Sequence, residues 1–387
     1  MLETQGCFVD VLNHYSYGGK EDFQFDFRAL VAGSGTGDAA IFLVEQLRDT
    51  DAEIIALDMS EAALAVARQR CEVRELSNVR FVCAALQDAA TLELGEFGYI
   101  NCSGVLQHLH NPDEGLPRLA DFLKDNGAMY LMVYSTYGRA SIYTMQAVLK
   151  QVADAQLPSD ERIRRARALL EQASDNIAFK RHIDRFSSDI ARYGDAGLFD
   201  LLLHSQDRAY TVPQIHQWLE QARLNFASFD AFGINRKLIY EPASYVHDAT
   251  LSELTESKSV AQQHAICELI HGSMSKHSFY ATKNTNAPPS LGAPGVITYF
   301  SSAYVTDDFL PTLHTYITDN PGKTVSMTMR DPHTKLSYTP TPHAAQLLLY
   351  LDGARDLQEI VARANQNLTQ GALQLREQTL VEGFHTL

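Results

Sequence analysis

The stretch Phe27-Arg-Ala-Leu-Val-Ala-Gly-Ser-Gly-Thr-Gly-Asp38 constrains this chain more than any other. Ala29 to Ala32 is an apolar run that reads as a short buried strand. Glycines follow at alternate positions, Gly33, Gly35 and Gly37. From Asp38 to Leu47, the residues Ala39, Ala40, Leu43, Val44 and Leu47 share one helical face. Strand, glycine-rich turn and helix open a nucleotide-binding α/β unit. Glycine permits positive φ and lets a ligand approach the main chain, and the helix N-terminus offers free N–H groups.

The glycines alone do not choose the ligand. Gly-x-Gly-x-Gly differs from the dinucleotide fingerprint, although Gly35, Gly37 and Ala40 also fit that pattern. A second apolar segment, Glu53 to Asp58, ends in an acid 21 positions after Gly37. A carboxylate there can accept both ribose hydroxyls of an adenosine. Ser60 caps the helix that starts at Glu61. Strands near 28–32, 53–57, 79–83, 98–102 and 128–134 alternate with helices near 37–48, 60–75 and 113–124. This alternation predicts an α/β fold around a parallel sheet with right-handed crossovers. Asn111-Pro112-Asp113 opens the last of these helices, and Asp125-Asn126-Gly127 turns into the fifth strand.

Together with Asp58-Met59-Ser60 and Tyr99-Ile-Asn-Cys-Ser-Gly-Val-Leu-Gln-His-Leu109, these motifs resemble those of class I S-adenosylmethionine-dependent methyltransferases. The resemblance implies a Rossmann-like sheet with S-adenosylmethionine as cofactor. Gly33, Gly35 and Gly37 would underlie it, Asp58 would bind the ribose, and Met59 would flank the adenine. The family places a Gly-Asp pair after the third strand, where this chain has Ala84-Ala85-Leu86. The adenine would then rely on backbone groups at Ala85 and Leu86, or on Gln87. Ser103, Gly104 and Val105 would end the fourth strand beside the reacting methyl. His108 follows as a base or acceptor-positioning group, or as a neutral structural histidine flanked by Leu106 and Leu109. Tyr134 and Tyr137 either wall the acceptor pocket or pack in the core.

At 387 residues the chain has room for two or three domains. A formal net charge of −15 argues against a nucleic-acid surface. Five cysteines without a Cys-x-x-Cys pair signal neither a zinc site nor a disulfide framework, which fits a reducing, cytoplasmic compartment. The chain starts without a basic, then apolar, leader, and no apolar run is long enough for a membrane span. His264, Cys267 and His271 share a helical face but lack a fourth ligand, so no metal is expected.

Before the glycine turn, residues 1–26 form an aromatic lead-in. Phe23 and Phe25 read as packing residues, and Tyr15 and Tyr17 as lid candidates over the cofactor. After Tyr134 the alternation stops. Residues 138–205 and 236–275 are helical in pattern, and 225–230 and 277–282 read as the last two sheet strands. Insertions into the 27–283 domain are the favoured parse, a separate helical domain the competing one. Thr211 with Gln214 has the capping-box spacing. Asn284 to Gly295 reads as a linker. Beyond it, 324–330 alternates like a strand, and His343–Leu351 and Asp356–Ala364 read as helices joined by Asp352-Gly353, which resembles a winged-helix module. The second helix is too acidic for phosphate contact, so protein contact or a homodimer is expected instead.

The whole layout resembles bacterial methyltransferases with a helical regulatory insertion and a C-terminal winged-helix domain, including rickettsial-type protein lysine methyltransferases. Where that group has a proline–aromatic segment, this chain has His14-Tyr-Ser-Tyr-Gly-Gly19. The expected function is methyl transfer to a protein lysine. A small-molecule methyltransferase and a catalytically silent cofactor-binding partner protein are the alternatives.

Overall fold

The computed structural model describes residues 8–181, 187–204, 206–229, 239–284, 297–299, 309–328, 335–340 and 344–366. At its centre is an eight-stranded sheet. Five parallel strands follow the expected positions: β1 (Arg28–Ala32), β2 (Glu53–Asp58), β3 (Val79–Cys83), β4 (Phe97–Ser103) and β5 (Leu123–Ser135). Two later strands, β7 (Asn225–Phe229) and β8 (Lys276–Thr282), complete the order β3-β2-β1-β4-β5-β8-β7, with β8 antiparallel to both neighbours. A two-residue strand, β6 (Ala209–Tyr210), pairs in parallel with Tyr134 and Ser135 of β5. Because β8 occupies the other edge of β5, β6 continues the line of β4 just past its end. The order reverses between β1 and β4, the switch point where open α/β sheets bind ligands.

The sheet is covered on both faces. On one, α1 (Phe8–Leu12) and α2 (Asp38–Gln46) pack with Tyr17, Phe23, Tyr99 and Tyr280. On the other, α4 (Pro112–Asp121) and α9 (Val212–Gln221) supply Leu116, Leu119, Ile215 and Trp218. Local chemistry starts the helices as the sequence predicts. Ser60 accepts from Ala63 N at the head of α3 (Glu61–Glu72), and Thr211 and Gln214 close a capping box on α9.

Four described helices, α5 (Ala140–Val152), α6 (Ser159–Gln172), α7 (Ala178–Arg181) and α8 (Ser187–Leu202), lie between β5 and β6, in the first stretch expected as an insertion, and share an apolar cluster of their own. The second holds α10 (Ala249–Glu256) and α11 (Val260–His271). A buried polar chain ties α11 to the sheet. Glu268 accepts from Val212 N at 2.8 Å and from His277 Nε2 at 3.1 Å, and Tyr240 donates its hydroxyl to His277 Nδ1 at 2.7 Å.

Four sequence expectations change. Tyr17 is no lid residue: it is 3% exposed and donates to Gly98 O at 2.5 Å. Phe25 does not pack, being 71% exposed. Asp125-Asn126-Gly127 lies within β5 as an irregularity in its pairing with β4. In the C-terminal part, α12 (Phe309–Asp319), α13 (Ala344–Leu348) and α14 (Leu357–Gln366) share a further apolar cluster with Val325 and Leu351. Asp352–Asp356 is not a turn between helices; it is a strand, β12, paired antiparallel with β9 (Ile297–Tyr299). Strands β10 (Val325–Thr328) and β11 (Lys335–Tyr338) form a second ladder. Of the expected linker only Asn284 lies within the described residues.

Candidate active site

The parallel strands all end at one edge of the sheet, and the three glycines, Asp58, Met59, Ala85, Leu86, Ser103 to Val105, His108, Tyr134 and Tyr137 lie at or just past those ends. Gly33, Gly35 and Gly37 each have φ between +52° and +94°. A Cβ at Gly33 would stand 2.1 Å from Val105 Cγ2, and one at Gly37 would stand 2.8 Å from Ala67 Cβ. Those two glycines are therefore fixed by packing. A Cβ at Gly35 would meet no atom within 4 Å, so that backbone faces open space where a ligand can sit. Ser34 adds a buried hydroxyl without a hydrogen-bond partner among the described residues.

Asp58 is held by two backbone donors, Gly35 N at 2.7 Å and Ser60 N at 2.9 Å. Each carboxylate oxygen keeps a lone pair for a further donor. Met59 beside it is 77% exposed, ready to cover a flat ring. Ala85 is extended and leads into a 3-10 turn starting at Leu86. Leu86 and Gln87 border a cavity of about 160 Å³, with Leu109, His110, Asn111 and Glu114 opposite.

The other side of the candidate site is built by the segment between β5 and β6 folding back. Strand β6 brings His204 and residues 206–208 over the turn that follows β4: Arg208 N donates to Gln107 O at 3.1 Å, and His108 Nδ1 lies 2.9 Å from Gln206 O. A carbonyl oxygen only accepts, so Nδ1 carries the proton and Nε2 keeps its lone pair. Burial pushes the His108 pKa below the ordinary imidazole value, against the bond to Gln206, which raises it. The ring packs on His204 at 4.2 Å and edge-on to Tyr134 at 5.5 Å. Burial also pushes Tyr134 up to about 12 despite a neighbouring cation, so it remains a donor at neutral pH. That cation is Arg139, whose guanidinium lies 3.6 Å from the centre of the Tyr134 ring. Arg139 pairs with Asp207 at 3.5 Å, with side chains 7% and 3% exposed. Asp207 also accepts from Tyr143 at 3.4 Å and Gln146 at 3.1 Å.

The structure thus brings His108 and Tyr134 together at the end of β4 and β5, next to Ser103, Gly104 and Val105. Gly104 has φ +75°, and Ser103 donates to Asn101 Oδ1 at 3.0 Å. Tyr137 stands apart: it is 41% exposed and, among the described residues, takes no part in the ring contacts of this cluster. Sequence reasoning missed Gln107, Arg139, His204 and Asp207. The one signal available was the cluster of polar residues flanking Tyr134 and His108.

Residues 30–129 match the family model described as "Methyltransferase domain". An uncharacterized Synechococcus protein is 31% identical over 257 residues, 65% of this chain and 59% of that protein. The ubiquinone biosynthesis O-methyltransferase of Acinetobacter baylyi is 24% identical over 112 residues, covering 29% of this chain and 44% of that enzyme. The chain therefore spans less than two thirds of these relatives. Among solved structures, PKMT2 from Rickettsia typhi in complex with AdoHcy superposes with a TM-score of 0.62 over 97% of this chain and 71% of that one, at 15% identity. Residues 30–129 are thus a methyltransferase domain, and the chain that contains them has the class I S-adenosylmethionine-dependent methyltransferase fold.

Proposed function

We propose that the chain transfers a methyl group from S-adenosylmethionine to an amine of a protein, and that the amine is a lysine. The residues on the cofactor side fit the group. The open backbone at Gly35, the unpartnered Ser34 hydroxyl and the two free lone pairs of Asp58 suit a polar, hydroxyl-bearing ligand. Asp58 would hold the ribose, Met59 and Leu86 would border the adenine, and Ser103 to Val105 would flank the methyl. When bound, the cofactor supplies a methyl already activated by a sulfonium.

One observation carries the acceptor half of the reading: His108 presents a neutral imidazole with its lone pair on Nε2. A lysine ammonium has a pKa near ~10.4 and no lone pair to attack with. It has to lose a proton before it can react. Tyr134, His204 and the apolar surroundings favour the neutral amine by desolvation. His108 Nε2, or water, takes the proton, and positioning then does the rest. The resemblance to the rickettsial-type lysine methyltransferases supports lysine. The ubiquinone-pathway relative supports a second reading, a small-molecule hydroxyl as acceptor.

On this reading residues 27–283 form the catalytic domain with both insertions, 284–295 link it to residues 296–387, and that last part engages a protein or a second copy. Transfer of tritium from S-adenosylmethionine into a bacterial lysate, resolved by molecular size, tests it. Protein label stable to mild alkali is expected. Label confined to small molecules, or released by alkali as a methyl ester is, would overturn the lysine assignment.

A further inference from the structure

Gln107 follows the end of β4 by four positions and is 1% exposed. The oxygen of its carboxamide has no hydrogen-bond partner among the described residues, and the nitrogen reaches only the Tyr134 hydroxyl, too loosely for a well-formed bond. Its backbone carbonyl accepts from Arg208 N. The amide lies next to Gly104, its Nε2 3.7 Å from where a Cβ on that glycine would stand. It also lies beside the Tyr134 hydroxyl, close enough to ease that group's ionisation. A buried amide oxygen left unbonded is a net cost to the empty protein, and native structures seldom retain one without a reason. Leucine or methionine would fill the same space without that cost.

We propose that Gln107 is an acceptor-holding residue of the methyl-transfer site. This assignment rests on the amine reading above. A neutral primary amine has two N–H donors and one lone pair. Accepting one N–H at Gln107 Oε1 fixes rotation about the Cε–N bond and aims the lone pair at the methyl. As the N–C bond forms, the S–C pair stays with sulfur; the ammonium proton lost beforehand goes to His108 or water. The Tyr134 ring, half-buried, is the wall beside the amide, and an entering acceptor would have to displace it. Arg139, stacked on that ring, and Asp207, paired to Arg139, limit how far it swings. An amine acceptor meets both needs at once: it satisfies the orphan carbonyl and supplies the nucleophile.

The test compares the full chain with Gln107→Leu and Gln107→Met in three measurements. These are thermal unfolding without ligand, calorimetry with S-adenosylhomocysteine, and tritium transfer to the lysate protein labelled by the parent. The variants should unfold at or above the parent temperature and bind S-adenosylhomocysteine within about twofold, yet lose roughly tenfold in transfer, as expected for one hydrogen bond made at the reacting atom. Transfer by either variant at the parent rate overturns the assignment and leaves the methyltransferase reading standing. A lower unfolding temperature in both variants also overturns it, because the amide would then have a structural partner. A parent chain that binds no S-adenosylhomocysteine overturns the methyltransferase reading, and this assignment with it.

Discussion

Replacing Arg139 by methionine should destabilise the protein by about 3–5 kcal/mol, the usual consequence of stranding one partner of a buried ion pair. The magnitude follows from the surroundings. Asp207 is 3% exposed at its side chain and would keep only the bonds from Tyr143 and Gln146. The stack on Tyr134 would vanish as well, worth ~2 kcal/mol for a desolvated cation on a ring. Adding Asp207→Asn removes the stranded charge, while the new carboxamide oxygen still accepts from Tyr143 or Gln146. The double variant should therefore recover most of the loss. Urea unfolding of the parent, both single variants and the double variant gives the coupling directly as a thermodynamic cycle. If Arg139→Met costs less than about 1 kcal/mol, in the range of an exposed pair, or if the two losses simply add, the pair does not clamp the insertion to the end of β5.

Further outcomes follow from the same geometry. Asp58→Ala should weaken S-adenosylhomocysteine binding by roughly one to two orders of magnitude, since each charge-assisted hydrogen bond is worth ~1.5–3 kcal/mol; unchanged affinity by calorimetry would mean that Asp58 serves only the Gly35 loop. Gly35→Ala should fold, with about 1–2 kcal/mol of strain at positive φ, and lose cofactor affinity, whereas Gly33→Ala should perturb folding by collision with Val105, as circular dichroism would reveal. Because burial lowers the His108 pKa, the folded protein holds fewer protons there than the unfolded chain. Its contribution to stability is therefore complete above the unfolded value near ~6.5 and diminishes as pH falls through that value toward the lowered one; His108→Gln should flatten this limb of the unfolding profile and the matching limb of kcat/KM. A chain ended at Asn284 keeps every strand of the main sheet, and it should remain folded and bind S-adenosylhomocysteine; insoluble product would show that residues 296–387 complete the core.

The glycine turn and the placement of Asp58 were readable in the sequence because their constraints are local. Gly33 to Gly37 must form one tight turn between one strand and one helix, and Asp58 ends the next strand, so spacing along the chain is nearly spacing in the fold. The acceptor half is assembled from afar. Arg139 meets Asp207 only after α5 to α8 have folded back, and nothing at either position marks the pairing. The tautomer of His108 depends on Gln206 O, a backbone atom that no side-chain pattern encodes. The misreading of Asp352-Gly353 has the same origin: those residues become strand because β9, more than fifty positions earlier, offers them a ladder. Tyr17 shares a hydrophobic lead-in with Tyr15, and only the Gly98 carbonyl distinguishes its fate.

The contact between Gly33 and Val105 has a thermodynamic consequence. Val105 fills the space that a side chain at position 33 would occupy, and it begins the turn that carries Gln107 and His108. The glycine loop and the loop that carries Gln107 and His108 are therefore packed against each other across β1 and β4. If cofactor and acceptor bind as proposed, occupancy of the two half-sites would be linked, and linkage is symmetrical: an acceptor that tightens the grip on the cofactor would itself be gripped more tightly by the same factor. The demethylated product, which leaves the same loop less filled, would loosen the modified acceptor, giving turnover a built-in direction of release.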